Sequence, residues 1–338
     1  MPNKKIAIFT ATGCRACENA ILDIHYQVSS LAHCADIIFW PYVAGSQWSD
    51  LEKQENIDVC FFAGAIRTAG DREAALKLRE KSRMMVACGA CAAFGGIPGL
   101  SNLNRSGMVG GQPQGTTDNG QQTHEEGKPR GLPPLESRVS ALSQIVKADY
   151  FVPGCPPPQN FLWAAIQSLV CEGISPARLT FAASRLPEAI SQAVSAGILP
   201  PKGSIFAGEK AVCATCSRVK EEKRFETYKR SYQDYEASGR CLLEQGLLCQ
   251  GITTRGGCGG LCTAMGQPCR GCFGKAENIF DPGAKMVSAI SSTFDSEDAQ
   301  EIEAIVDGFV DLLGTFYRYT LPTQCALLSA PSKDLKHE

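Results

Sequence analysis

The chain has 338 residues, 44% of them hydrophobic, and a formal charge of −2, so it can bury two cores. Its 33 Lys and Arg against 35 Asp and Glu leave no basic excess to draw nucleic acid. No apolar run reaches the roughly eighteen residues that a membrane span needs.

Met1 to Thr10 (MPNKKIAIFT) reads as a first strand, Lys5 to Thr10, rather than as an export leader, so a cytoplasmic location is expected. Helical spacing of Ile21, Leu22, Ile24 and Val28 predicts a helix over Glu18 to Leu31. Further strands are expected at Ile37 to Trp40, Asp58 to Ala63, Met84 to Ala87 and Tyr150 to Val152. Asp71 to Ser82 reads as a charged amphipathic helix with Asp71 as its cap, and Pro157 opens another. Strands alternating with helices give a doubly wound parallel α/β sheet. Residues 104–134 are polar and rich in Gly, Gln and Pro, and read as a long surface insertion. Past Gly203 the glycines multiply and strand alternation stops, so the chain divides into residues 1–202 and an irregular second domain, 203–338. There Ser217 to Arg240 reads as a charged helix and Ser296 to Tyr319 as a final amphipathic one.

Seventeen cysteines are many for this length, and with no export signal they point to metal more than to disulfides. Cys14 and Cys17 follow the first strand, Cys91 the fourth and Cys155 the fifth. Doubly wound sheets bind ligands beyond the carboxyl ends of their strands, so these four thiols should converge on one crevice. Glycines and prolines flank them (Gly13, Gly89, Gly95, Gly96, Gly154, Pro156), as a backbone approaching cluster sulfurs requires. Cys88 and Cys91 form a C-x-x-C pair in which either could ligate. Cys91 heads the glycine-rich turn and is the expected ligand. Eight more cysteines fall between Cys213 and Cys272. In chain order they divide into Cys213, Cys216, Cys241 and Cys249, then Cys258, Cys262, Cys269 and Cys272. An interleaved division is the alternative. Four thiolates suit a cubane iron–sulfur cluster, though structural zinc uses the same spacing. Cys34, Cys60, Cys171 and Cys325 are left over. Cys60, in a strand, and Cys171, read as helical, are expected to be core thiols. His25, His33, His124 and His337 show no ligand spacing, and no glycine-rich nucleotide motif is present.

Four stretches carry a family resemblance: G-C-R-A-C-E from Gly13, G-A-C-A-A-F-G-G-I from Gly89, P-G-C-P-P from Pro153 and P-C-R-G-C-F-G from Pro268. With them the chain resembles the small, electron-transfer subunit of NiFe hydrogenases. The likeness is greatest to the cytoplasmic methyl-viologen-reducing type that works with heterodisulfide reductase. The resemblance implies a flavodoxin-like first domain holding a proximal 4Fe-4S cluster on Cys14, Cys17, Cys91 and Cys155. It also implies medial and distal 4Fe-4S clusters in the second domain, and a large subunit that carries the nickel–iron centre. The implied acceptor is a small iron–sulfur subunit or heterodisulfide reductase. Where exported relatives have a distal histidine, this chain has Cys213, and where their medial cluster has three cysteines, Cys262 offers a fourth. Added thiolate charge should lower the potentials. The insertion is longer than the family leads one to expect. Glu18, directly after Cys17, is read either as a proton-transfer group or as a first-turn carboxylate held by the helix dipole. Alternative readings are a deazaflavin-reducing or sulfhydrogenase small subunit, and a relay whose partner lacks nickel. Further afield stand a complex I-type quinone-reductase subunit, which would end soon after the first cysteine set, and a zinc-stapled interaction protein.

Overall fold

A computed structural model describes residues 3–24, 31, 33–103, 133–171, 186–221, 228–230, 232–233, 236–293, 298–309 and 311–325. Most of the insertion, 104–132, and His25, His124 and His337 lie outside these residues.

The first half builds a parallel sheet. β1 (Lys4–Thr10) is followed by α1 (Ala16–Leu22), β2 (Ala35–Phe39), α2 (Pro41–Ala44), α3 (Trp48–Glu52), β3 (Ile57–Ala63), β4 (Ile66–Thr68), α4 (Ala69–Lys81), β5 (Ser82–Cys88) and α5 (Gly89–Phe94). Next come a 3-10 turn (Ile97–Leu103), β6 (Leu135–Ser140), β7 (Tyr150–Val152), α6 (Gln159–Leu169) and α7 (Glu188–Ser195). The sheet order is β2-β1-β3-β5-β7, all parallel, while β4 and β6 form a separate antiparallel pair. With that pair set aside, the order is the flavodoxin-like one, whose switch point lies between β1 and β3.

The strands read as nearly continuous apolar runs because both faces are covered. Ile6, Ile8, Val59, Phe61, Met84 and Val86 face one core with Phe161, Leu162 and Ile166 of α6. Ala7, Cys60, Phe62, Met85 and Ala87 face the other with Ala75 and Leu78 of α4 and Ala92 and Ala93 of α5. This period of two sends alternate side chains to opposite layers. Each large side chain so buried contributes about 1.5–3 kcal/mol.

The cap of α4 is Thr68, not Asp71. Thr68 Oγ1 accepts from Asp71 N–H at 3.1 Å, and the Asp71 carboxylate accepts from Thr68 N–H at 2.8 Å, a reciprocal capping box. Asp71 also accepts from Thr12 N–H and from the Thr12 hydroxyl, at 3.1 and 2.8 Å. That ties the loop carrying Cys14 to the start of α4.

The second half has little regular structure: α8 (Leu261–Ala264), α9 (Pro282–Ser291), α10 (Ala299–Asp307), α11 (Leu312–Phe316) and α12 (Leu321–Gln324). The expected final helix, Ser296 to Tyr319, is thus two short ones, α10 and α11. Asp311 restarts the chain by capping α11 through Gly314 N–H. Among the described residues of 217–240 there is no helix. Instead Val219 bridges Arg240, and Cys241 N–H donates to Val219 O at 2.7 Å. One correction concerns the spare cysteines. Cys171 lies just past the end of α6 and forms a disulfide with Cys34, their Cα atoms 5.5 Å apart. Cys60 and Cys325 are buried free thiols. No helix among the described residues is long and apolar enough to cross a membrane.

Candidate functional site

The first four cysteines meet at the carboxyl edge of the sheet. Cys14 and Cys17 flank Arg15, whose φ of 62° turns the chain sharply into α1. Cys91 sits on α5, directly beyond β5, and Cys155 follows β7. Ala90 N–H donates to Gly154 O at 2.7 Å, which locks the last two loops together. Glycine leaves the room for sulfur. A Cβ built at Gly89 would overlap Cys17 Sγ, and one at Gly96 would overlap Cys91 Sγ. Both glycines have left-handed backbones, at φ +85° and +58°.

Charge couples these thiols. Burial pushes the Cys91 thiol up to about 12, with Cys17, Cys155 and Cys14 adding to the rise. Cys155 is raised by burial and then by Cys17 and Cys14. The Cys17 thiol is raised furthest, first by its hydrogen bond with Cys88, then by burial. Cys88 itself is 1% exposed at the end of β5 and belongs to the core. Crowded, buried thiols of this kind ionise only when a cation compensates them, which is the environment that metal binding relieves.

Among the remaining eight, the interactions run both within and between the two chain-order groups. Cys213 is raised by burial and then by Cys241 and Cys216, with Lys220 lowering it. Cys249, pushed up to about 12 by burial, receives Gly251 N–H and feels Cys213 and Cys241. A Cβ at Gly251 would stand 3.2 Å from Cys213 Sγ and 3.6 Å from Cys249 Sγ. In the other set, Cys272 is pushed up to about 12 by burial and feels Cys258 and Cys262, and Cys258 feels Cys262. Burial raises Cys269, with Cys249 and Cys272 adding to it.

Two contacts link these cysteine groups. The Cys272 thiol is also raised by the charge of Cys155 and lowered by the Cys155 amide, so the sheet-edge set lies beside Cys272. Cys269 N–H donates to Cys249 Sγ at 3.3 Å, linking the Cys258–Cys272 group to the Cys213–Cys249 group. Among the described residues no three His, Cys, Asp or Glu side chains gather closely enough to share a single metal ion. A four-iron cluster is wider than one ion and holds its thiolates farther apart. Glycine-cleared sulfurs, donated amides and sets of four cysteines all fit such a group.

Glu18 is 2% exposed in the first turn of α1. Its Oε1 accepts from Trp40 Nε1 at 3.2 Å, whereas Oε2 and the nearby Thr10 hydroxyl make no hydrogen bond among the described residues. Burial raises the Glu18 carboxyl, and Thr10, Trp40 and Arg15 lower it part-way.

Two residues at the site were not legible in the sequence. The Tyr319 hydroxyl reaches Cys155, and burial pushes that phenol up to about 12, with Cys155 and Cys272 adding to the rise. Thr263 lies 3.3 Å from Cys216 Sγ. A lone tyrosine far down the chain from Cys155 carries no spacing signal, and Thr263 offers only its place beside Cys262.

A family model described as NADH ubiquinone oxidoreductase, 20 Kd subunit, matches residues 14–169, the span of the first cysteine set. The eight later cysteines lie beyond it. The vhu G-subunit of F420-non-reducing hydrogenase from Methanocaldococcus jannaschii is 33% identical, over 97% of this chain and 98% of that protein. The G-subunit of F420-non-reducing hydrogenase from Methanothermobacter thermautotrophicus is 31% identical, over 94% of each. The delta subunit of sulfhydrogenase 2 from Pyrococcus furiosus is 22% identical, over 82% of this chain and 90% of the relative. With a third of its residues shared across nearly its whole length, this chain belongs to the family of F420-non-reducing hydrogenase G-subunits, and so to the small subunits of the hydrogenase oxidoreductases.

Proposed function

We propose that this chain is the electron-transfer subunit of a cytoplasmic NiFe hydrogenase of the methyl-viologen-reducing type. In this reading it relays electrons between a large-subunit nickel–iron centre and a partner such as a small iron–sulfur protein or heterodisulfide reductase. The observation that supports the reading is a run of cysteines from the sheet-edge four, through Cys272, which feels Cys155, to Cys249, whose sulfur accepts from Cys269 N–H at 3.3 Å. Cys14, Cys17, Cys91 and Cys155 would hold a proximal 4Fe-4S cluster. Cys258, Cys262, Cys269 and Cys272 would hold the medial one, and Cys213, Cys216, Cys241 and Cys249 the distal one. Cys91 is favoured over Cys88 because Cys88 is enclosed in the core, while Cys91 feels the other three thiols.

When bound, such clusters supply one-electron transfer at thiolate-held iron. The chain's own residues fix where that happens. The sheet edge sets the proximal thiols, glycines admit them without a Cβ, and the Cys269 amide holds the Cys249 sulfur. Cys14, exposed beside Arg15, lies on the face where the guanidinium stacks 4.3 Å over the Tyr42 ring. Tyr42 and Val43 are half exposed there, an apolar surface suited to a large subunit. In this reading Glu18, buried beside Cys17 with one carboxylate oxygen that makes no hydrogen bond among the described residues, would serve in proton transfer.

The metal content of the anaerobically purified native complex tests the reading. Nickel with about twelve irons from this subunit, four for each of three cubanes, is the expected result. Iron without nickel would make the chain a relay derived from a hydrogenase, and zinc in place of iron would refute both. Cys155→Ala is expected to remove about four irons and to stop dihydrogen-driven dye reduction, with nickel retained in the partner. Dye reduction at the normal rate in that variant would overturn the relay.

A further inference from the structure

Thr263 sits where the two C-terminal cysteine sets meet. It follows Cys262 on α8, is 3% exposed, and its hydroxyl oxygen lies 3.3 Å from Cys216 Sγ. Its position is fixed from the far side as well. The Thr263 carbonyl accepts from Arg218 Nε at 2.6 Å, and Arg218 Nη1 donates to Arg240 O at 3.0 Å, beside Cys241. Gly260 leaves room for the hydroxyl, since a Cβ there would come within 3.0 Å of Thr263 Oγ1.

With Cys216 as a free thiol, its S–H donates to Thr263 Oγ1, and the Thr263 hydroxyl donates to Gly260 O at 2.9 Å. A metal-bound thiolate has no proton to give. The only proton left between the two atoms is then the hydroxyl's. Gly260 O does not depend on it, because Ala264 N–H already donates to that carbonyl at 2.8 Å. A hydrogen bond to anionic sulfur is also stronger than one to a neutral carbonyl. Rotation about the Thr263 C–O bond is enough to redirect the proton.

We propose that Thr263 is a positioning residue that donates its hydroxyl hydrogen bond to the Cys216 thiolate and thereby raises the reduction potential of the cluster on Cys213, Cys216, Cys241 and Cys249. This rests on the iron–sulfur reading above. A donor to a ligating sulfur withdraws electron density and favours the form that carries the extra electron. Of the cysteines in that set, Cys216 is the one for which the described residues supply a hydroxyl within hydrogen-bond distance, at 3.3 Å. The effect is therefore local, and the other two potentials should not move.

The test is a potentiometric titration of the anaerobically purified complex followed by electron paramagnetic resonance, with iron measured on the same samples. Thr263→Val keeps the shape and removes the hydroxyl. It is expected to shift one cluster potential downward and leave the others in place, and Thr263→Ser should restore the unmutated value. Unchanged potentials in Thr263→Val with full iron content would overturn the proposal. Should the valine variant lose iron, Thr263→Ala, which only removes atoms, takes its place, with a downward shift supporting the proposal and an unchanged potential overturning it. Iron loss in both variants, with Thr263→Ser intact, would replace the potential-setting role with one in assembly. Absence of iron from the unmutated complex is a separate outcome that would sink the iron–sulfur reading itself.

Discussion

Gly96 has φ +58°, and a Cβ there would run into Cys91 Sγ. Either fact alone would strain an alanine. The left-handed backbone costs a non-glycine residue about 1–2 kcal/mol, and the collision must move the sulfur or the turn. Gly96→Ala is therefore expected to lose the proximal set's iron, about four atoms per complex, while nickel in the partner is kept. Iron analysis beside a thermal melt checks it, and full iron content would show that the turn can yield. Both Cys91 and its glycine turn were legible in the sequence, because a glycine-rich turn after an apolar run is a local signal. For the Cys88–Cys91 pair the sequence favoured Cys91 by its place in the turn, but did not show the burial that sets the two apart. It is Cys88 that the core encloses.

At the scale of elements, Asp149 joins three of them just ahead of β7. It is 2% exposed and accepts from Arg79 at the end of α4 at 2.6 Å, from Met85 N–H of β5 at 2.9 Å and from Lys202 at 2.9 Å. Burial by itself would raise its carboxyl. The hydrogen bonds from Lys202, Met85 N–H and Arg79 more than offset that, and hold it below the ordinary carboxylate value. Its folded pKa being the lower one, its contribution is present above the unfolded carboxylate pKa and is lost as pH falls through the folded one. Asp149→Ala leaves the Met85 amide without its acceptor and Arg79 without its carboxylate, the guanidinium keeping the carbonyls of Lys147, Ser82 and Arg83. It should cost about 3 kcal/mol at neutral pH, the low end for a broken buried pair, because Lys202 is largely in water and regains its hydration. The difference from the unmutated chain should shrink in acid, and denaturant melts at pH 7 and pH 3 read it directly. A difference that stays constant with pH would mean that the loss is one of packing. Nothing in the sequence marks this aspartate, since its three partners come from separate parts of the chain.

At the scale of the molecule, the end of the chain returns to the first cysteine set. Pro322 packs against Gly95 and Gly99, the Thr323 hydroxyl donates to Phe94 O at 3.3 Å, and Gly96 N–H donates to Tyr319 O at 3.0 Å. Gln324 Oε1 accepts from Lys275 N–H at 2.9 Å, close to Cys272. The same short segment thus braces the proximal loop and the Cys258–Cys272 set. Leu321, fully buried with Met286, Ile290 and Phe316, anchors it. Leu321→Ala should destabilise the chain by about 2–4 kcal/mol through the cavity it leaves. It should also lower the iron bound at both sets that the segment touches. Stability lost with iron unchanged would show that the brace acts on the fold alone.

Cysteine spacing, the alternation of apolar strands and the glycine turns were sufficient by themselves to determine a doubly wound sheet, a cysteine-rich second half and the family. These signals are local, or fall at fixed intervals along the chain. The tertiary structure alone decided the sheet order, the pairing of Cys34 with Cys171, the breaking of the last helix into two, and the contact of Cys269 with Cys249. Each of these depends on residues brought together from distant parts of the chain. Tyr319 and Thr263 reach cysteine sulfurs only because α11, α12 and α8 are folded back onto the sites. That proximity comes from packing, and spacing along the chain does not encode it.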